Sequence, residues 1–358
     1  MFDKKTVVIV GAGGSVDFGL PSGAEVYTNL LNEKLNTDIP NYNIERDLFT
    51  GGFAKFLLAH QETKLFNQLD EFIKAVDEDS YADSIDLFAS SYPAFTEISK
   101  LYSTWSIHNK IYEKKLPRHV SRGYHQDYDS SYLSPTNIWH REPIPSQGEK
   151  KPIKNWMSAL LRKHLEDESE TPSNFKNNLK IVTFNYDTII EDFFCESIKK
   201  IPKFKDMANQ LIPEIFHVYG SFNKPKERPS SYSIIQQAKE ISYMNDISPK
   251  QKENLQSIRE VMLKAECIFI VGFDAARQNS ERIELEKSKA WKYALNYNDD
   301  AGLNNRLRDI GVPSENIMTG KTSIPWSQSF FQQADGIAKP LLVASRLRRE
   351  GANKPSLN

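Results

Sequence analysis

VVIVGAGGSVDFGLPSG, residues 7–23, is the stretch on which the reading of this chain turns. It opens with four apolar residues, three of them valine, the composition of a strand covered on both faces of a sheet. Gly11, Gly13 and Gly14 follow at once, with Ala12 between the first two and Ser15 after them. Glycines at the end of a first strand let the backbone turn tightly and approach a diphosphate with no Cβ in the way, and Ser15 adds a hydroxyl. A turn that needs glycine only for its own conformation is the alternative. The dehydrogenase fingerprint G-x-G-x-x-G fails, because its third glycine would fall where Val16 stands. Ser22 and Glu25, just past Pro21, have capping-box spacing, so a helix is expected there and Gly11 to Leu20 is expected to be a long loop.

Working outward, four segments read as buried strands: Lys5–Val10, Leu179–Phe184, Ile215–Tyr219 and Cys267–Phe273. Each is followed by a loop and a helix-like stretch, or by Gly and Pro punctuation. That recurrence predicts an α/β fold, a Rossmann-like doubly wound parallel sheet. More than 150 residues with helical spacing and no comparable β run separate the first strand from the second. Leu65, Phe66, Leu69, Phe72, Ile73 and Val76 form one such apolar stripe, which reads as core packing. The domain expected is therefore 1–345, with a mainly helical insertion over 25–175, an irregular proline-containing excursion over 113–152, and a flexible tail over 346–358. A polar segment from Asn223 to Lys252 is expected to be helical near Gln236–Ile241.

Composition narrows the function classes. Lys and Arg total 46 against 47 Asp and Glu, a net charge of −1 that gives no general attraction to nucleic acid or anionic membrane. No apolar run reaches the roughly 18 residues that a membrane span needs, and no secretory leader is read at the start. With two cysteines, Cys195 and Cys267, neither a disulfide framework nor a cysteine zinc site is expected, and the histidines show no metal-ligand spacing. The expected compartment is the cytoplasm, and no metal is expected.

The glycine stretch GAGGSVDFGLPSG resembles the first motif of sirtuin-like (silent information regulator 2-type) NAD-binding domains. Other short matches follow in order: DSIDLF (Asp83–Phe88), TFNYDTIIE (Thr183–Glu191), FHVYGSF (Phe216–Phe222) and IFIVGFDAARQN (Ile268–Asn279). The resemblance is to the bacterial antiphage defence branch without a zinc ribbon, since the chain lacks the four ribbon cysteines and has Ser22-Gly23-Ala24 where deacylating sirtuins carry Asp-Phe-Arg. It implies a NAD+ hydrolase that depletes cellular NAD, or else a catalytically degenerate sensor or scaffold that binds NAD or ADP-ribose. It also implies a homo-oligomer or a partner defence protein. The cofactor-binding residues it implies are Gly11, Ala12, Gly13, Gly14, Ser15, Pro21, Asp86, Gly220, Ser221, Gly272, Phe273 and Asn279.

Cleaving the nicotinamide–ribose bond requires an oriented ribose, a placed water and proton transfer. The resemblance assigns the water or ribose contact to Asn185. Two roles are open for Asp187, a ribose contact or a helix cap. In active relatives a histidine base precedes the Gly-Ser pair, and here that position is Tyr219, whose phenol is a poor base at neutral pH. His217, two residues earlier, is expected on the same strand face as Tyr219 and reads either as a displaced base or as a hydrogen-bonded core histidine. Gly272 is expected to let the backbone approach the ligand, and Asn279 to contact the adenine-side ribose or to cap a helix beginning near Ser280.

Overall fold

The structure is a computed structural model. It describes residues 4–31 (17 and 19 apart), 52–115 (80 and 83 apart), 156–165, 178–222, 231–296 (244, 246 and 247 apart), 301–319 and 330–331. The tail over 346–358 and most of the 113–152 excursion lie outside the described residues.

The core is a parallel sheet of six strands: β1 (Thr6–Val10), β2 (Leu179–Thr183), β3 (Glu214–His217), β4 (Cys267–Val271), β5 (Trp291–Asn296) and β6 (Ile317–Thr319), in the order β3-β2-β1-β4-β5-β6. Val8 of β1 pairs with Ile181 on one side and Phe269 on the other. Alternation along β1 explains why it reads as one continuous apolar run. Val7 and Ile9 enter one buried cluster while Val8 and Val10 enter the other, so both faces of the sheet are covered. β4 repeats the pattern, with Ile268 and Ile270 on the first side and Phe269 and Val271 on the second. This is the doubly wound three-layer arrangement, with its order reversing at the β1–β4 boundary.

The chain after β1 forms a one-turn helix α1 (Gly13–Val16) rather than an uninterrupted loop, a correction to the expectation for residues 11–20. Then come α2 (Gly23–Leu31), α3 (Gly52–Ala59), α4 (Thr63–Glu78), α5 (Ile85–Ser91), α6 (Thr96–Lys115) and α7 (Trp156–His164) before β2. The predicted capping box starts α2: Glu25 N–H donates to Ser22 Oγ at 3.1 Å and Ser22 N–H to Glu25 Oε2 at 2.6 Å. Leu65, Leu69, Phe72 and Val76 of α4 are buried, as the stripe requires, with Phe66 and Ile73 packed at its edge. α6 runs to Lys115, past the expected start of the excursion at residue 113.

Past β2 lie α8 (Ile189–Lys199) and α9 (Ala208–Leu211); past β3, α10 (Ser231–Glu240) and α11 (Pro249–Lys264); past β4, α12 (Arg277–Arg282); and α13 (Ala301–Asp309) joins β5 to β6. The helix expected near 236–241 is thus the second half of α10. β5 and β6 were not among the expected strands. Trp291, at the start of β5, is 57% exposed, and Lys292 beside it is buried with its ammonium donating to Ser288 O at 2.8 Å, so an apolar run never forms in the sequence. β1 ends at Val10 as expected, while β2, β3 and β4 stop short of their predicted ends, leaving Phe184, Tyr219 and Phe273 in the loops just past them.

Candidate functional site

In an open parallel sheet, ligands gather outside the carboxyl ends of the strands where the order reverses. Here the loops after β1 and β4 meet at that point. Gly11 N–H donates to Val271 O at 3.1 Å and Gly13 N–H to Gly272 O at 3.0 Å. A Cβ on Gly11 would lie 2.5 Å from Gly272 O, and one on Gly272 would lie 2.0 Å from Gly14 N. These glycines therefore serve the contact of one loop with the other. Gly272 makes its close backbone approach to the β1 loop.

The cleft opens beside this junction, toward β2 and beneath the helical insertion. It holds about 560 Å³ of free space, open solvent at its mouth included. Its floor is Ala12, Ser15 and the segment from Phe184 to Asp187; its walls come from Leu20–Pro21, the start of α2, Ser84–Asp86 at the head of α5, and Ser103 and Ile107 of α6. Of the residues expected to bind the cofactor or act in catalysis, Ala12, Ser15, Pro21, Asp86, Asn185 and Asp187 line this cleft. Gly11, Gly13, Gly14, Gly272, Phe273, Gly220, Ser221, Asn279, His217 and Tyr219 do not.

Three buried side chains are joined on the floor. Asn185 Nδ2 donates to Ser15 Oγ at 2.7 Å, and Ser15 Oγ donates to Asp187 Oδ2 at 3.4 Å. The order is chemically constrained: an ionised carboxylate only accepts, so Ser15 must donate to it and accept from the amide. That leaves Asn185 Oδ1 aimed away from its partners, buried and without a hydrogen bond. A buried carbonyl with no partner costs about 1–3 kcal/mol, and a water or a ribose hydroxyl would relieve it. Asp187 also accepts from Ile189 N–H at 3.1 Å, bracing the turn into α8, so the helix-end role and a place in the cleft are compatible.

Burial pushes the Asp187 carboxyl up to about 6, although the Ile189 N–H, the nearby His217 and the Ser15 hydroxyl pull the other way. Asp86 is likewise raised to about 6, by burial and then by the like charge of Asp274, against the hydrogen bond from Tyr186 at 3.1 Å. A carboxylate poised near neutrality is suited to taking a proton from water.

His217 and Tyr219 do not share a face. β3 ends at His217, and the chain turns through Val218 and Tyr219 to Gly220, whose φ of +84° and whose closeness to Glu240 O, 2.6 Å from a built Cβ, require glycine. His217 points toward α8: its Nδ1 meets Asn185 O at 2.8 Å and its Nε2 meets Glu191 Oε1 at 2.6 Å. A carbonyl and a carboxylate both accept, so both ring nitrogens donate and the imidazole is a cation. Burial alone would lower its pKa, but the Glu191 hydrogen bond and charge outweigh that and raise it. This is the hydrogen-bonded core histidine of the two readings, and it holds the Asn185 backbone.

Glu191, which the sequence reading did not single out, is visible there only as an acid in the first turn of a helix. A stability consequence follows. The raised His217 pKa contributes stability that is fully present below the unfolded value of 6.5 and is lost as pH rises through the higher folded value. Glu191→Gln is expected to lower the melting temperature at pH 6 and to flatten its decline above pH 7, followed by calorimetry across that range.

Tyr219 turns to the other side, where its hydroxyl donates to Asn279 Oδ1 at 2.5 Å and the Arg282 guanidinium lies 5.0 Å over its ring. Burial drives its pKa far above the ordinary phenol value, against the pull of Arg282. Asn279 is the third residue of α12 and not its cap, another departure from expectation. Phe184 sits beside Tyr219 edge-on at 5.9 Å and stacks on Phe273 at 4.7 Å, so Phe273 backs the cleft through Phe184 without lining it. Tyr186, whose role its sequence motif does not reveal, ties Asp86 to β2's end through its hydroxyl.

Among the described residues no group of three His, Cys, Asp or Glu is placed to hold a metal, and no helix is long and apolar enough to cross a membrane. No family model matches the chain, and no curated protein matches it. Solved structures do. A Sir2 in complex with an inhibitor, 2′-O-acetyl-ADP-ribose and deacetylated p53 peptide is similar at 10% identity and a TM-score of 0.36, with 92% of this chain and 94% of that one covered. A mutant Sir2 homologue in complex with ADP-ribose is similar at 10% identity and a TM-score of 0.37, with 94% of each chain covered. A Sir2 with p53 peptide and NAD+ is similar at 11% identity and a TM-score of 0.36, with 93% of each chain covered.

Proposed function

We propose that the chain is a NAD+ hydrolase, cleaving NAD+ and water into ADP-ribose, nicotinamide and a proton. The observation that carries this reading is the buried Ser15–Asn185–Asp187 chain at the cleft floor, with its unpartnered amide oxygen. Asn185 Oδ1 accepts a hydrogen bond from the water or a ribose hydroxyl. As the bond from C1′ to the pyridinium nitrogen breaks, its electron pair passes to the ring and neutralises it, and the oxocarbenium that develops lies near the Asp187 carboxylate. The water oxygen bonds C1′ and gives its proton to Asp187, which releases it to solvent. Asp187 thus takes the place of the histidine base, a role that the raised Tyr219 phenol and the doubly bonded His217 ring are not fitted to fill.

In a cell such an activity would deplete NAD, as in the antiphage effectors that the sequence resembles, with a cytoplasmic setting and an oligomer or partner protein as its context. A second reading, a binding module for NAD or ADP-ribose with no turnover, is favoured by the tyrosine at position 219. Chromatography of nicotinamide release by the purified full chain separates the two. Turnover that falls at least ~100-fold in Asn185→Ala supports the hydrolase. Thermal shifts by NAD+ or ADP-ribose with no turnover support the module. Neither turnover nor a shift refutes both.

A further inference from the structure

Asn185 stands two residues past the end of β2, beyond the strand's ladder. Its N–H donates to Thr183 Oγ1 at 3.1 Å, and its carbonyl accepts from the His217 ring at 2.8 Å. With the backbone pinned on both sides, the side chain reaches Ser15 and leaves Oδ1 unpartnered beside the cleft. His217 is itself fixed, by its pairing with Thr183 of β2 and by Asn254 of α11, whose amide donates to His217 O at 2.7 Å. Its Nε2 faces Glu191 Oε1 at 2.6 Å, and Glu191 Oε2 is buried with no hydrogen-bond partner. Among the described residues the charges acting on the ring are Glu191, on α8, and Asp187, at the turn into that helix, while Asn254 and Thr183 are neutral. The two ring protons are therefore unequal. One meets a carboxylate and the other a neutral carbonyl, and the charge-assisted bond is the stronger. When the ring gives up a proton, Nδ1–H is the one that goes. A lone pair then faces Asn185 O at a distance set for a hydrogen bond, and two acceptors there repel.

We infer that His217 is a positioning residue of this cleft: its doubly protonated ring holds Asn185 in place, and Glu191 decides that the proton lost first is the one on which Asn185 depends. This rests on the reading above in taking Asn185 as the group that meets the dinucleotide. The consequence is an alkaline limit, with ligand affinity and turnover both falling as the ring becomes neutral. Other groups about the cleft titrate elsewhere. Burial raises the Asp86 and Asp187 carboxyls only to about 6, and it drives the Tyr186, Tyr219 and Tyr243 phenols upward from 10. Burial lowers the His217 pKa, but the Glu191 bond and charge carry it above 6.5. In Glu191→Gln the side-chain amide can donate to Nε2. The neutral ring then takes the other tautomer and keeps Nδ1–H on Asn185, so the alkaline fall disappears.

The test uses the full chain at a series of pH values from 7 to 9, with ADP-ribose affinity read by titration calorimetry and nicotinamide release from NAD+ read by chromatography. In the wild type both are expected to fall at least about fivefold across that interval. In Glu191→Gln each changes by less than about twofold. His217→Phe, which removes both donors, is expected to weaken both by about tenfold at every pH and to show no alkaline fall. Nitrogen NMR of the histidine-labelled chain, with the His217 signal identified by its loss in His217→Phe, reads the tautomer: proton on Nε2 in the neutral wild type, on Nδ1 in Glu191→Gln. Thermal melts check that each variant is folded, and the wild-type profile stands even where a variant does not fold. A wild type that is flat from pH 7 to 9, or a Glu191→Gln protein that falls in parallel with it, overturns the inference. Turnover with no alkaline fall leaves the hydrolase reading standing while this inference falls. ADP-ribose affinity that follows the expected pattern with no turnover does the reverse, and neither binding nor turnover at any pH refutes both.

Discussion

Asp187→Asn is expected to reduce NAD+ hydrolysis by at least ~100-fold and, in the same protein, to raise the folding stability at pH 7 by about 2 kcal/mol. The two effects have one cause. Burial raises the carboxyl from 3.8 to about 6, so the group favours the folded state only while it is protonated. Its contribution is fully present below the unfolded value of 3.8 and is lost as pH rises through the folded value of about 6. At neutral pH the wild type carries an ionised carboxylate in a site that resists charge, and asparagine of nearly the same shape removes that cost. Its amide oxygen still accepts from Ile189 N–H and its amino group can face Ser15. Hydrolysis, in contrast, needs the ionised form as proton acceptor, so the wild-type rate should rise with pH on a limb centred near 6. Denaturant titrations at several pH values and a pH–rate profile check both halves. The stability gap between variant and wild type should close toward pH 4. A variant that is less stable at pH 7, or one that keeps its activity, would overturn the assignment.

Gly272→Ala is expected to destabilise the protein by about 4 kcal/mol or more, enough to leave little folded material. Position 272 has φ +57°, where an L side chain is strained, and the added methyl would stand 2.0 Å from Gly14 N and 2.3 Å from Gly13 C. Those atoms belong to backbone, so no side-chain rotation relieves the overlap. The β1 and β4 loops must separate, which breaks the Gly13 N–H to Gly272 O hydrogen bond and displaces Ser15 from the cleft floor. Gly23→Ala is the matched control. It begins α2, its nearest foreign heavy atom lies 3.8 Å away, and alanine is the better helix former there. Soluble yield and melting temperature of the two variants read the contrast. A folded Gly272→Ala protein with an unchanged melting temperature would show that the loops are not packed in this way.

Both effects arise at residues that the sequence marks, yet for reasons it does not contain. Gly272 stands out as a glycine after a buried strand, but its role comes from Gly13 and Gly14, more than 250 residues away in sequence and brought near only when β4 pairs with β1. The Ser15–Asn185 contact likewise spans 170 positions. His217 and Tyr219 are two residues apart, and strand periodicity put them on one face. β3 ends at His217, and the turn through Val218 and Tyr219 sends them to opposite sides.

The sequence by itself determined the α/β class, the central strands β1 and β4, the capping box of α2 and the core stripe of α4. Each depends on a local pattern, apolar residues repeating with strand or helix period, that holds whatever packs against it. Tertiary structure alone decided that β5 and β6 extend the sheet, that the glycines face one another, that the insertion roofs the cleft with Asp86, and that Glu191 claims the histidine. Those outcomes follow from burial and from which groups meet. A carboxyl's affinity for its proton and an amide's want of a partner exist only once distant segments have excluded water together.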